Sequence, residues 1–213
     1  RDIARVFKAG SAPSTFYITL DQGTATQYDV NRLIIPSGHN LSGKALELQR
    51  STDNFGSSII TVDSWTATTG LMARSFSQPP TTRYWRLKIT TGGITVELTE
   101  LFLSQDFALA FNPEFGSPSG KKRNIDRMET LSGRMRRVKR GPEKWKYDFS
   151  FAVVSANEKA NFRSWEDHLD GTKPFYMLDT DGQWVFVELM NDIEYVPISY
   201  GNFKANFSLL EVI

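Results

Sequence analysis

The chain has 213 residues, no cysteine and a formal net charge of +1. That length allows one large domain or two small ones and buries enough surface to fold without staples. The lack of cysteine excludes disulfides and thiolate metal sites, and no apolar run approaches the ~20 residues needed to span a bilayer, so membrane insertion is not expected.

The first residues, Arg1-Asp2-Ile3, carry no signal-peptide pattern and no starting Met. Upstream residues are therefore expected to be missing, and the expected site of synthesis is a cytoplasm. Strand signals then recur at short spacing. Thr15 to Leu20 alternates, with Phe16, Ile18 and Leu20 on one face. Further strands are predicted over Asn31–Ile35, Ala45–Arg50, Ile59–Val62, Leu71–Phe76, Tyr84–Ile89 and Val96–Leu103. Turn-forming clusters separate them: Asp21-Gln22-Gly23, Pro36-Ser37-Gly38, Asp53-Asn54-Phe55-Gly56 and Gln78-Pro79-Pro80. Many short strands punctuated this way predict a β-sandwich or jelly roll over residues 1–105. In Tyr84–Ile89, Trp85, Leu87 and Ile89 share the core face and Arg86 and Lys88 the opposite one.

A second module is predicted over residues 106–213, with a lead-in strand at Phe107–Phe111 and a loop over Asn112–Gly120. Charge is unevenly spread: residues 121–146 hold 11 basic and 3 acidic side chains, while residues 147–213 hold 4 basic and 11 acidic. A cationic arm over 121–144 thus adjoins an anionic body. Trp145–Val154 alternates as a strand, with Trp145, Tyr147, Phe149, Phe151 and Val153 on one side. Ser155-Ala156-Asn157-Glu158 is a capping box, and Phe162, Trp165 and Leu169 follow on one helical face. Asp170-Gly171 ends that helix, with Gly171 expected as the left-handed cap. Pro174–Asp179 and Gln183–Leu189 are strands joined at Thr180-Asp181-Gly182. Ile193–Ile198 and Asn202–Val212 complete the module.

Nothing in this inventory suggests catalysis. The two histidines, His39 and His168, belong to no spaced ligand set, and no G-x-S-x-G occurs. Asp179-Thr180-Asp181-Gly182 could open a calcium loop, but its twelfth position is Met190 rather than Glu. A paired-carboxylate glycosidase would need distances that a sequence does not state. The expectation is a non-enzyme with no cofactor and no metal. The arm lacks aromatic residues for base stacking over 121–144, so nucleic acid is a poor fit as its partner.

Five stretches of the first module resemble the discoidin, or galactose-binding-like, β-sandwich: Phe16–Gly23, Val30–Ile35, Leu46–Asp53, Arg83–Leu87 and Glu100–Leu103. The turn Gly38-His39-Asn40-Leu41 is similar to variants of this module in phage tail proteins. The resemblance implies ligand loops at one end, where Asp53, Phe55, Trp65 and Arg74 are candidate glycan contacts. The plainer alternative has Trp65 packed on the rim and Asp53 capping a turn. The second module resembles the tail-tube-type fold of phage tail tubes and distal tail proteins. That resemblance rests on the long strand, the capped helix, Lys173-Pro174-Phe175, Thr180-Asp181-Gly182 and the final strands ending in Glu211-Val212. Familiar distal tail proteins place the ring-forming domain first; here the accessory-like module leads.

These resemblances imply a structural protein of a phage tail tip or baseplate, made in the host cytoplasm and carried in the virion. It would form a ring, hexameric by analogy, touching the tail tube, other tip proteins and host-surface glycan. A ring needs unlike surfaces that meet. Arg134, Arg136, Arg137, Lys139 and Arg140 are the expected donors, and Glu166, Asp167, Asp170, Asp192 and Glu194 the expected acceptors on a neighbouring copy. The alternatives are that the arm folds back on its own subunit or is a solvated loop. The competing function is a secreted, monomeric carbohydrate-binding protein.

Overall fold

The structure, a computed structural model, describes residues 7–8, 10–23, 29–77, 82–108, 112–114, 118–123, 125–129, 135–171 and 173–212, with backbone alone over 7–8, 125–129 and 136–138. The chain divides into two compact units, residues 2–107 and 108–213. The fold is mainly β, with one helix among the described residues.

The first unit holds β1 (Phe7–Lys8), β2 (Thr15–Asp21), β3 (Arg32–Ile35), β4 (Ala45–Ser51), β5 (Ile60–Thr66), β6 (Met72–Ser75), β7 (Tyr84–Thr90), β8 (Glu97–Leu98) and β9 (Phe102–Ser104). They form antiparallel sheets in the orders β2-β7-β4-β5, β6-β3-β9 and β1-β8. Alternation decides which side chains go inside. Trp85, Leu87 and Ile89 of β7 and Leu46 and Leu48 of β4 are buried together with Leu33 and Ile35 of β3, so the two larger sheets share one core. The indole N–H of Trp85 donates to the Thr82 carbonyl at 3.0 Å, satisfying the one polar atom that this large ring brings inside.

The stretch predicted as one strand over Val96–Leu103 is two. β8 pairs with β1, and β9 pairs with β3. Val96 and Leu98 are buried, and the next inward residues are Leu101 and Leu103. The step of three between Leu98 and Leu101 breaks the period of two, so one continuous strand cannot keep all four inside.

The second unit holds β10 (Ser119–Lys122), β11 (Ile125–Glu129), β12 (Met135–Lys139), β13 (Lys144–Ser155), α1 (Ala156–Leu169), β14 (Phe175–Leu178), β15 (Trp184–Leu189), β16 (Glu194–Ser199) and β17 (Asn202–Glu211). The main sheet runs β10-β13-β17-β15-β14, with β16 beside the first half of β17. β11 and β12 form a separate two-stranded hairpin. The predicted lead-in strand is absent at 107–108; its residues 109–111 lie outside the described residues.

β13 corrects one expectation. Phe151 opposes Ala205 and Val154 opposes Phe203, so a bulge lies between them. The extra residue flips the face: Val154 is buried, and Val153, expected inside, is 57% exposed. β13 then runs directly into α1. Ser155 Oγ accepts from the Glu158 N–H at 3.3 Å, and Glu158 Oε2 accepts from the Ser155 N–H at 2.8 Å. This reciprocal pair fixes the first turn. At the far end Asp170, not Gly171 alone, takes the left-handed conformation, with φ of 52°. Its N–H donates to the carbonyls of Glu166 and Asp167.

Phe207 of β17 is the hub of the core. Its ring centroid lies 5.3 Å from Phe149, 5.8 Å from Phe151, 5.9 Å from Phe162 and 5.8 Å from Trp165. It therefore joins the sheet to the helix. Phe207→Ala is expected to cost about 3–5 kcal/mol in urea denaturation. The near-isosteric pair tests the bulge: Val154→Thr should cost about 1–3 kcal/mol by burying a hydroxyl, and Val153→Thr should stay within about 0.5 kcal/mol. Equal costs would contradict the bulged register.

Candidate functional site

Helical spacing puts Arg163, Glu166, Asp167 and Asp170 at i, i+3, i+4 and i+7, on a stripe beside the buried one of Phe162 and Leu169. Asp192, Ile193 and Tyr195, from the link into β16 and its start, face that stripe. With Gly171 these residues line an open groove of about 500 Å³. Glu166 Oε1 accepts from the Ile193 N–H at 2.8 Å, which ties the helix wall to the strand wall. The Tyr195 hydroxyl is buried without a hydrogen-bond partner among the described residues. Its phenol is pushed up to about 12, by burial first and the Glu166 carboxylate second, so it stays neutral at ordinary pH. The Arg163 guanidinium stands 5.8 Å from the Tyr195 ring centroid.

Four of the five predicted acceptors, Glu166, Asp167, Asp170 and Asp192, thus line one groove. Glu194 begins β16 and is not part of that lining. Arg163 and Tyr195 were not singled out as site residues in the sequence. The spacing of Arg163 to the helical acids carried a signal, whereas the arrival of Tyr195 depends on the strand link. No three His, Asp or Glu side chains among the described residues are grouped so as to hold a metal ion. Four carboxylates, those of Glu166, Asp167, Asp170 and Asp192, and the Arg163 guanidinium line the groove.

The predicted cationic arm is built in two parts. β10 lies along β13, with Lys121 opposite Trp145. Beyond it the hairpin β11–β12 pairs Ile125 with Lys139, Arg127 with Arg137 and Glu129 with Met135. Arg134 and the side chains of Arg136 and Arg137 lie outside the described residues; Lys139 and Arg140 are exposed. At the base of the arm, Glu143 is bridged by Arg123 at 3.3 Å and Lys121 at 4.0 Å, and Lys146 by Asp148 at 2.7 Å.

In the first unit, the four candidate glycan contacts fall into two separate groups. Asp53 and Phe55 follow the end of β4, whereas Trp65 opposes Leu46 near its beginning, at the other end of the β4–β5 pair. Arg74 lies 5.5 Å from the Trp65 ring centroid and is bridged to Asp63 at 3.0 Å. Trp65 itself is partly buried against the core. The Asp53 carboxylate is occupied by its own loop, accepting from Ser57 N–H at 2.8 Å, Ser57 Oγ at 2.6 Å, Ser51 Oγ at 2.7 Å and Ser58 Oγ at 2.9 Å. His39 also braces a loop: its Nδ1 accepts from Leu41 N–H, which leaves Nε2–H to donate to the Gly70 carbonyl at 2.8 Å.

No protein-family model matches the chain, and no curated protein matches it. Among solved structures, a Bacteroides ovatus protein assigned as an alpha-L-fucosidase is similar at 12% identity with a TM-score of 0.35. The alignment covers 99% of this chain and 35% of that one. At this similarity neither fold nor activity transfers.

The hydrogen bonds from Ser57 and then Ser51 hold the Asp53 carboxyl far below its ordinary value of 3.8. A depressed folded value contributes stability that is fully present above the unfolded value and lost as pH falls through the folded one. The loop is therefore expected to stay closed at about pH 4, with the Ser57 and Ser58 amides protected from hydrogen exchange. Asp53→Ala should remove that protection even at neutral pH. Unchanged exchange in the variant would show that the carboxylate does not hold the loop.

Proposed function

We propose that the chain is a structural component of a long-tailed phage tail tip or baseplate, acting by assembly rather than catalysis. The second unit forms a closed ring, hexameric by analogy with tail-tube-type proteins. It joins the tail tube to other tip proteins within the virion. The first unit is an outward accessory module for docking or host-glycan contact.

The observation that carries this reading is the hairpin β11–β12. It is a two-stranded sheet of its own, and an isolated two-stranded hairpin is marginal in water. Its register sets Arg127 opposite Arg137, a like-charge pair that disfavours pairing unless an anion lies nearby. The same unit presents a groove lined by Glu166, Asp167, Asp170 and Asp192. A cationic projection and an anionic recess on one chain are the two unlike surfaces that a rotational ring requires. Arginine forks pair with such carboxylates bidentately. The competing reading as a monomeric sugar binder draws less support, because its candidate contacts do not share one site.

Sedimentation of two sets of variants tests the contact. Changing Arg134, Arg136, Arg137 and Arg140 together to Glu should leave single 24.2 kDa chains at physiological salt. Pairing that variant with a chain carrying Glu166→Lys, Asp167→Lys, Asp170→Lys and Asp192→Lys should restore mixed assemblies. High salt should weaken the wild-type assembly, since exposed ion pairs are screened beyond about 8–10 Å. Normal assembly of the reversed-charge arm alone would remove the hairpin as an intersubunit clamp.

A further inference from the structure

We propose that the outward face of the β2-β7-β4-β5 sheet carries a preformed carboxylate-binding fork, the guanidinium of Arg86, which docks an acidic side chain of a partner protein. This inference does not depend on ring formation and needs only the first unit.

The fork is anchored by a relay across two strands. Arg86 Nε donates to Gln49 Oε1 at 2.7 Å. Gln49 is only 5% exposed, and its Nε2 donates to Glu47 Oε2 at 2.7 Å. Glu47 Oε1 in turn accepts from Lys88 Nζ at 2.7 Å. The register that sets Gln49 opposite Arg86 and Glu47 opposite Lys88 makes this relay possible. The guanidinium carbon also lies 4.1 Å from the Phe55 ring centroid and 4.6 Å from that of Tyr17. With Nε anchored and two rings against its plane, the group is held in orientation before any ligand arrives. Its Nη1 and Nη2 donate to no described residue, so that edge is open for an end-on pair with a carboxylate.

A second observation comes from the loop that delivers Phe55. Asn54 and Phe55 both have positive φ, 56° and 64°, without being glycine. Strained backbone of this kind persists only where surrounding contacts enforce it, and it gathers at functional positions. Here the enforcing contacts are the Asp53 hydrogen bonds to Ser57 and Ser58, together with the Phe55 N–H donated to Ser51 Oγ at 2.9 Å. The product of this loop shape is a ring set against Arg86.

The chemistry around the fork favours a protein carboxylate over a sugar. The two Glu47 oxygens and Gln49 Oε1 each accept one hydrogen bond within the relay, whereas the fork offers donors alone, which suits the two oxygens of a carboxylate. Beside the cationic fork stand a half-exposed Tyr17 and a partly buried Phe55. Arg, Tyr and Phe are the residues enriched where proteins anchor one another.

The test is NMR of Arg Nε–H groups in the full chain, titrated with acetyl-Gly-Glu-Gly-amide, its Gln counterpart and a galacturonate oligosaccharide. The Glu peptide should shift the Arg86 signal saturably, and the Gln peptide should not. In Arg86→Lys, which keeps the charge and loses the fork, the backbone amides of Tyr17 and Phe55, which should shift saturably with the Glu peptide in the wild type, should no longer do so while the remaining amide spectrum stays folded. Phe55→Ala should weaken binding of the Glu peptide roughly tenfold by freeing the guanidinium. No Arg86 response, an equal response to the Gln peptide, or a saccharide response at least as strong as the peptide's would overturn the proposal. The arm variant with four Glu should titrate like the wild type, so failure here and failure of ring assembly are read separately.

Discussion

Two antiparallel strands with no third beside them bury too little to hold themselves in place. Among the described residues, Ile125–Glu129 and Met135–Lys139 are such a pair, and they lie within the chain's most cationic stretch. Cross-strand alignment of Arg127 with Arg137 adds repulsion to a pairing that is already marginal. Such a segment gains most from a surface that supplies both contact and negative charge. The proposed assembly would supply that surface from the acid-lined groove of a neighbouring copy.

The groove depends on the interior beneath it. β17 pairs with β13 on one side and with β16 and β15 in turn on the other, and its Phe207 ties those strands to α1. The bulge at Val153 lets β13 keep Phe151 and Val154 inside and still feed Ser155 into the helix cap. Once the cap sets the helix phase, Arg163, Glu166, Asp167 and Asp170 fall on the side that meets Asp192. The first unit shows the same logic on a sheet: β7 buries Trp85, Leu87 and Ile89, and this obliges Arg86 and Lys88 to face outward.

Local signals were legible in the sequence wherever one element decides the outcome. The Ser155–Glu158 box, the helical stripe and the alternation of β7 are of that kind. The misreadings arose where a partner strand decides. Val153 and Val154 are equally apolar, and only the pairing of Val154 with Phe203 selects which goes inside. The acidic stripe of α1 could be read from helical period, but the approach of Asp192 and Tyr195 is tertiary. Asp53 and Phe55 were grouped with Trp65 and Arg74 as loop residues, although a strand's length of β4 and β5 separates them. The Arg86 relay needs the register between β4 and β7, which no pattern within one strand contains.

Electron microscopy of the purified full chain, at a resolution that separates strands, tests the central claim most directly. The account predicts closed rings in which the 125–139 hairpin of each copy lies in the groove between Asp170 and Asp192 of the next. Separate 24.2 kDa particles at micromolar concentration, or rings whose hairpins touch no neighbour, would contradict it.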